Sequence, residues 1–355
     1  MQYPAHGANV ASLYEGLQIP MPSTIIDLSE NTNSLGTPIE LQTMWPELLK
    51  KVMTYPHEQA EPFKSQVAAF HGIKPKHIAV CNGASEGLMA IAQFLRGQTV
   101  ALLEPSFSEY QRTLLQQGCS IVSIPTTNIE TYLFSDEQLH QALQQAKALY
   151  ICNPNNPTGV VQSKQWIESL VQTYPEKYFI IDEAFMDWTD EKNSVISLVT
   201  SYPNLLVLRS MTKMFAMAGV RLGYIVSQLA QSIGAFFPHW NVSGIAIALG
   251  CKCLELTQFV AHSRKQSNAL RIEMQSFFKR LNCRVTNSEV NFFTFCLPPT
   301  YDAEHFYMSL LQQGIVLRHT KNYEVLCGEW FRIAVKDVHS WQICKEAIEK
   351  YVQND

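Results

Sequence analysis

Between residues 78 and 227 the chain alternates short apolar runs with longer segments of helical spacing, and few folds accommodate that rhythm. The apolar runs Ile78–Cys81, Val100–Leu103, Ser120–Ile124, Leu149–Cys152, Tyr178–Asp182, Leu205–Leu208 and Gly223–Val226 read as strands. Leu88–Leu95, Phe107–Gln117, Ser135–Ala146 and Ser163–Tyr174 read as helices, and Ser135 supplies the hydroxyl that caps its own. Strand and helix in regular succession predict an α/β architecture, a mainly parallel sheet with helices on both faces. Ligands of such sheets collect at the carboxyl ends of the strands.

The flanks lack this rhythm. Residues 1–35 are expected to form an irregular amino-terminal arm, with His6-Gly7-Ala8-Asn9 and the polar stretch Ser29–Gly36 as loops. Leu41–Tyr55 has helical spacing interrupted at Pro46, and Glu61–Gly72 reads as a helix stopped by glycine. After Ser227, Gly244–Leu256 and Phe259–Leu281 read as helices, the second suited to link two domains. Strands over Glu289–Leu297, Ile315–His319 and Trp330–Val335, with helices over Ala303–Gln313 and Ser340–Val352, predict a smaller α+β domain. The expected division is an arm at 1–35, a large domain at 36–258 and a small domain at 259–355.

Composition narrows the function. A net charge of −4 argues against a general nucleic-acid binder. No apolar run is long enough to span a bilayer, and the first residues lack the basic and apolar regions of a signal peptide. Cysteines such as Cys152 and Cys296 sit inside apolar runs, as free thiols of a reducing compartment do. Cys251-Lys-Cys253 has no matching pair at metal-ligand spacing. A cytoplasmic protein without membrane, nucleic acid or metal is the expectation.

Four motifs stand at strand ends. Asn82-Gly83-Ala84-Ser85-Glu86 turns into a helix whose free N–H groups suit a phosphate, although any strand-to-helix turn resembles it. Asn153-Pro-Asn-Asn-Pro-Thr-Gly159 is a stiff turn, either purely structural or holding an amide against a ligand. Asp182-Glu183-Ala184-Phe185 ends an apolar strand in a carboxylate, which is costly to bury unless a cation meets it. In the fourth, Lys213 follows Leu205–Leu208 and Ser210, and Arg221 comes eight residues later. An amine among Met211, Met214 and Phe215 can titrate low enough to attack a carbonyl. Ser210 and Arg221 offer a hydroxyl and a planar fork to a phosphate.

In this order and spacing the four motifs resemble the fold-type I pyridoxal-phosphate enzymes of the class I/II aminotransferase superfamily. The resemblance covers nearly the whole chain. It implies a large domain with a mainly parallel sheet of the seven-stranded type and a smaller α+β domain. It also implies that Lys213 carries pyridoxal 5'-phosphate as a Schiff base and moves the proton, and that Asp182 pairs with the ring nitrogen. Asn156 would bond the ring's O3′; Gly83, Ala84, Ser85, Ser210 and Arg221 would surround the phosphate. Tyr110 would stack on the ring, with Phe107 as the second choice. Tyr55 would reach the neighbouring subunit's cofactor phosphate in a homodimer.

Two branches of the superfamily compete, the histidinol-phosphate aminotransferases and the threonine-phosphate decarboxylases of cobalamin synthesis. His6-Gly7-Ala8-Asn9, Asp27-Leu-Ser-Glu-Asn31, Phe107-Ser-Glu-Tyr110, Gln117-Gly-Cys119, Ile315-Val-Leu-Arg318 with Asn322-Tyr323, and Phe331-Arg332-Ile-Ala334 are similar to the decarboxylases. Phe185 stands where the aminotransferases usually carry tyrosine. Glu30 and Ser34 depart from the decarboxylase pattern, where a small residue and a proline are usual. A small, phosphorylated amino acid is therefore the expected substrate. Arg332 would grip its carboxylate, Arg318 its phosphate with His6 or Asn31 nearby, and Asn156 would also face it. A non-catalytic regulator is the third reading, and the intact Lys213 and Asp182 argue against it.

Overall fold

The computed structural model describes Tyr3, Gly7 and residues 9–354. Strand β1 (Ile26–Asp27) precedes the large sheet. That sheet contains β2 (Ile78–Cys81), β3 (Thr99–Glu104), β4 (Ser120–Pro125), β5 (Ala148–Cys152), β6 (Tyr178–Asp182), β7 (Leu205–Ser210) and β8 (Gly223–Ser227). Its order is β2-β8-β7-β6-β5-β3-β4, and only β8 runs against its neighbours. Strands β5, β6 and β7 are buried almost throughout, because helices cover both faces and the apolar side chains of these strands join one core or the other. Their register sets Cys152 beside Asp182 and Asp182 beside Leu208, so the three carboxyl ends open on one side.

The carboxyl-terminal part holds β9 (Arg284–Val285), β10 (Phe292–Cys296), β11 (Ile315–Val316), β12 (Arg318–His319) and β13 (Trp330–Ala334). Four of these form an antiparallel sheet in the order β12-β13-β10-β9. Phe278, Phe295, Phe306 and Phe331 pack on it with Trp341 and Ile348 of the last helix, Val338–Asn354. Burying one such side chain contributes about 1.5–3 kcal/mol, so this small sheet rests on a core of its own. The helix Thr257–Arg280 adds Met274 and Phe277 to that core.

Three local expectations give way. The arm contains a helix, Val10–Leu17, with Asn9 accepting from the Ser12 N–H at its start. Leu13, Tyr14 and Leu17 sink into the small core, so the arm belongs to that side of the molecule. By contrast, the interruption expected at Pro46 within Leu41–Tyr55 is present: short helices Ile39–Thr43 and Trp45–Leu48 meet near it, and a 3-10 turn, Leu49–Met53, follows. Ile315–His319 divides between two sheets, with β11 pairing in parallel with β1 while β12 joins β13. Glu289–Leu297 is strand only over β10, because the Glu289 N–H is used by the Gly159 carbonyl. Among the described residues no single helix is long and apolar enough to cross a membrane, and no cluster of metal-binding side chains occurs.

Candidate active site

The carboxyl ends of β5, β6 and β7 face β12 and β13 across a cavity of about 230 Å³. Lys213, Asp182, Asn156, Tyr110, Phe107, Ser210, Arg221, Arg318, Arg332 and Asn31 all line it.

Lys213 stands just beyond β7 in a loop held at several points. The Met211 N–H donates to the Leu222 carbonyl, the Met217 N–H to that of Thr212, and the Asn33 N–H to that of Lys213. Burial pushes the Lys213 ammonium below its ordinary range. The Arg332 guanidinium adds to this, while the Glu30 carboxylate opposes it.

Asp182 is the last residue of β6, 4 % exposed. Its Oδ1 accepts from the Ala184 N–H at 2.9 Å and its Oδ2 from the Tyr110 hydroxyl at 2.8 Å. Burial raises its pKa, and both donors pull it back toward ionisation, as does Lys213. Among the described residues the carboxylate thus has two neutral donors and no cation bonded to it, in a place where burial of charge is costly.

The Asn-rich turn separates into scaffold and site. Asn153 exchanges hydrogen bonds with the Gln162 backbone, and Asn155 spans from Pro105 to Thr158. Gly159 closes the turn at φ +74, with Ser288 where a side chain would stand. Asn156 faces the cavity, its Oδ1 accepting from Arg332 Nη1 at 2.6 Å. With the oxygen so engaged, the amide's N–H donors remain for a ligand oxygen.

An anion cradle lies at the other end. Helix Ala84–Phe94 begins directly after β2, so the amides of Ala84 and Ser85 belong to its unbonded first turn. Arg221 Nη2 donates to Ser85 Oγ at 3.3 Å, and Ser210 Oγ meets Thr212 Oγ1 at 2.8 Å. Gly83, at φ +76, does not line the cavity; a Cβ there would stand 2.7 Å from Arg221 Nη2. Its contribution is to leave that guanidinium room.

Beneath this wall Arg209 of β7 bridges Glu183 at 2.9 Å, Asp187 at 3.1 Å and Glu191 at 2.5 Å. Glu183 adjoins Asp182 and Arg209 adjoins Ser210, so the network ties together the strand ends that carry the site.

The opposite wall carries arginines. Arg318 and Arg332 are Cα partners across β12 and β13, and both are buried. Arg318 Nη2 donates to Asn322 Oδ1 at 2.7 Å, and Arg332 Nη2 to the Ser29 carbonyl at 2.5 Å. Burial lowers the Arg332 pKa to about 10, and Arg318 beside it works in the same direction.

Besides Gly83, one expected residue among those described is not in the cavity: Tyr55 is 80 % exposed and stacks at a tilt on Trp240, 4.6 Å between ring centres. His6 lies outside the described residues. Thr212, Cys152, Ser29 and Tyr323 also line the cavity, although none of them was an expected site residue. For Thr212 a signal existed, a second hydroxyl two residues past Ser210. Cys152 is an apolar-strand residue whose thiol burial pushes up to about 12, and nothing in the sequence marks it.

A cofactor with a phosphate, a basic ring nitrogen, a phenolic oxygen and an aldehyde fits this set. The cradle, the Asp182 carboxylate, the Asn156 amide and the Lys213 amine offer one complementary group to each.

Relatives agree with that chemistry. The family described as aminotransferase class I and II matches residues 23–350. The threonine-phosphate decarboxylase of Salmonella typhimurium is 28 % identical, covering 94 % of this chain and 92 % of its own. A histidinol-phosphate aminotransferase of Halalkalibacterium halodurans is 26 % identical over 88 % and 85 %. The solved histidinol-phosphate aminotransferase of Clostridium acetobutylicum superposes with a TM-score of 0.87 at 27 % identity, over 92 % of this chain and 99 % of that one. The chain belongs to the class I and II aminotransferases, enzymes of the fold-type I architecture that depend on pyridoxal 5'-phosphate.

Proposed function

We propose that the protein decarboxylates an O-phosphorylated amino acid, L-threonine O-3-phosphate in the first instance, as a homodimer. The observation that carries this reading is the pair Arg318 and Arg332, two buried cations held side by side toward one cavity with Lys213. Neighbouring guanidiniums repel, and a substrate bearing two anionic groups relieves both. An O-phosphoamino acid brings a carboxylate and a phosphate, whereas histidinol phosphate brings only the latter. Phe185, buried against Phe292 at the cavity, leaves no phenol hydroxyl at a place where the aminotransferase branch usually has one.

When bound, pyridoxal phosphate supplies an electron sink for the bond that breaks at Cα. Lys213 holds it, and the lowered basicity of that amine leaves a larger neutral fraction for capture at neutral pH. Asp182 keeps the ring nitrogen protonated, Asn156 donates to the ring oxygen, and Ala84, Ser85, Ser210 and Arg221 hold the phosphate. Arg332 orients the substrate carboxylate and Arg318, with Asn31, its phosphate. Decarboxylation releases carbon dioxide and returns one proton to Cα, and Lys213 Nζ is the group to deliver it.

Tyr55, Trp45, Met53 and Trp240 expose apolar surface on one protomer. In the homodimer Tyr55 reaches the partner's phosphate cradle, which makes each site composite.

The deciding assay measures carbon dioxide release and amino-group transfer side by side, with O-phosphothreonine, O-phosphoserine and histidinol phosphate. Carbon dioxide from an O-phosphoamino acid is the expected result. Efficient transfer from histidinol phosphate, with no carbon dioxide from either phosphoamino acid, assigns the protein to the aminotransferase branch instead.

A further inference from the structure

The Tyr110 hydroxyl points away from the task that its sequence position suggested. It donates to Asp182 Oδ2 at 2.8 Å, and the residue is 1 % exposed. The ring is fixed on two sides, edge-on to Phe107 at 5.8 Å and tilted against Tyr150 at 5.2 Å. Phe107, three residues earlier on the approach to the helix Glu109–Gln116, is half-buried and lines the cavity with its apolar ring.

We propose that Tyr110 is a positioning residue that holds the Asp182 carboxylate in place for the cofactor's ring nitrogen, which leaves the stacking face to Phe107, the second choice that the family resemblance offered. The inference rests on the reading of Asp182 as the partner of that nitrogen. Three features carry it. Asp182 ends an apolar strand, so its charge persists only if donors replace the water it has lost. Ala184 and Tyr110 give one donor to each oxygen, which fixes the plane of the carboxylate and leaves a lone pair on each for the ring N–H. The donor is also neutral: a lysine or arginine in place of Tyr110 would satisfy Asp182 outright and remove its attraction for a protonated ring. A phenol orients the charge without cancelling it. Burial keeps that phenol un-ionised, since its pKa is raised well above the ordinary value.

The role is separable from stacking. Tyr110→Phe keeps the ring and its packing and removes one hydrogen bond to a charged acceptor, an interaction that corresponds to roughly a tenfold change or more in an equilibrium constant. Pyridoxal-phosphate affinity of the cofactor-free protein is to be measured by equilibrium dialysis, with circular dichroism in the cofactor's absorption band, for Tyr110→Phe, Asp182→Asn and the double variant. Thermal unfolding without cofactor reports whether each variant is folded. The expected result is about tenfold weaker binding for Tyr110→Phe and a double variant no worse than Asp182→Asn alone. Phe107→Leu should change the dichroism of the bound cofactor, which needs no change at Tyr110.

Wild-type affinity in Tyr110→Phe, with Asp182→Asn impaired, overturns the inference. So does a Tyr110→Phe loss that adds in full to that of Asp182→Asn. Unchanged affinity in Asp182→Asn removes the underlying reading of Asp182 instead. Should Tyr110→Phe fail to fold, an unaltered dichroism in Phe107→Leu still refutes the stacking half.

Discussion

On the large-sheet side of the cavity every polar group is delivered within a few residues of a strand end. On the small-sheet side the same job falls to two short strands and an arm from the far end of the chain. Lys213, Asp182 and Ser210 inherit their positions from β6 and β7, whose burial and whose Arg209 network leave little freedom. Arg318 and Arg332 sit on strands of two and five residues, and their partners, Asn322, Asn156 and Ser29, come from three different parts of the chain. The first wall is built for one unvarying guest. The second is assembled from separable pieces, which is what a change of substrate within one fold requires.

Breaking the first wall should do the most damage. Lys213→Ala should abolish the absorption band of the lysine-bound cofactor. It should also lower turnover by about 10²–10⁴-fold from lost proton transfer alone. Full activity in that variant would refute the assignment of Lys213. Substitutions in the second wall should redistribute products rather than silence the enzyme. Arg332→Lys keeps the charge but loses the fork that spans Asn156 and Ser29, so turnover should fall roughly 10–100-fold. Side transamination should rise relative to carbon dioxide release, because the carboxylate is held less firmly. Arg318→Ala should instead weaken phosphorylated substrates selectively, by roughly tenfold against their unphosphorylated analogues. Equal effects of both variants on both products would erase the contrast between the two arginines.

The smallest effect tests where the walls meet. Glu30 lines the cavity and holds the Lys213 ammonium up against burial and Arg332. Glu30→Gln removes that support, so the Lys213 pKa should drop further and the neutral amine should prevail at lower pH. The pH midpoint for cofactor capture by cofactor-free protein should therefore move down. A midpoint that stays put or rises would mean that Glu30 does not act on Lys213.

The contrast between the walls also explains what the sequence made legible. Lys213, Asp182, Asn156, Ser210 and Arg221 announce themselves because strand, turn and polar residue are contiguous. The helix Val10–Leu17 could have been read from Val10, Leu13, Tyr14 and Leu17 at helical spacing, but the turn-forming residues around it masked that pattern. The division of Ile315–His319 has no local mark, since the period of two is the same in β11 and β12 and only the partner strand differs. Nor does any spacing disclose that the Tyr110 hydroxyl reaches Asp182, a contact across 72 positions fixed by how one helix lies on the sheet. The arginine pair entered through family resemblance, because nothing near either residue distinguishes it from a strand-end cation.

Residues 26–33 touch both walls. Leu28 donates its N–H to Val316 and accepts from Ala334, Ser29 accepts from Arg332, and Asn31 accepts from Asn291. A few residues on, Asn33 bonds the Lys213 carbonyl through its N–H and the Met214 carbonyl and Ser263 hydroxyl through its amide. The segment is a short tie rod, bolted at one end to the sheet that carries Arg332 and at the other to the backbone around Lys213. Arg332 and the Lys213 backbone are thereby anchored by one short segment, so a substitution anywhere in residues 29–33 would disturb both walls of the cavity at once.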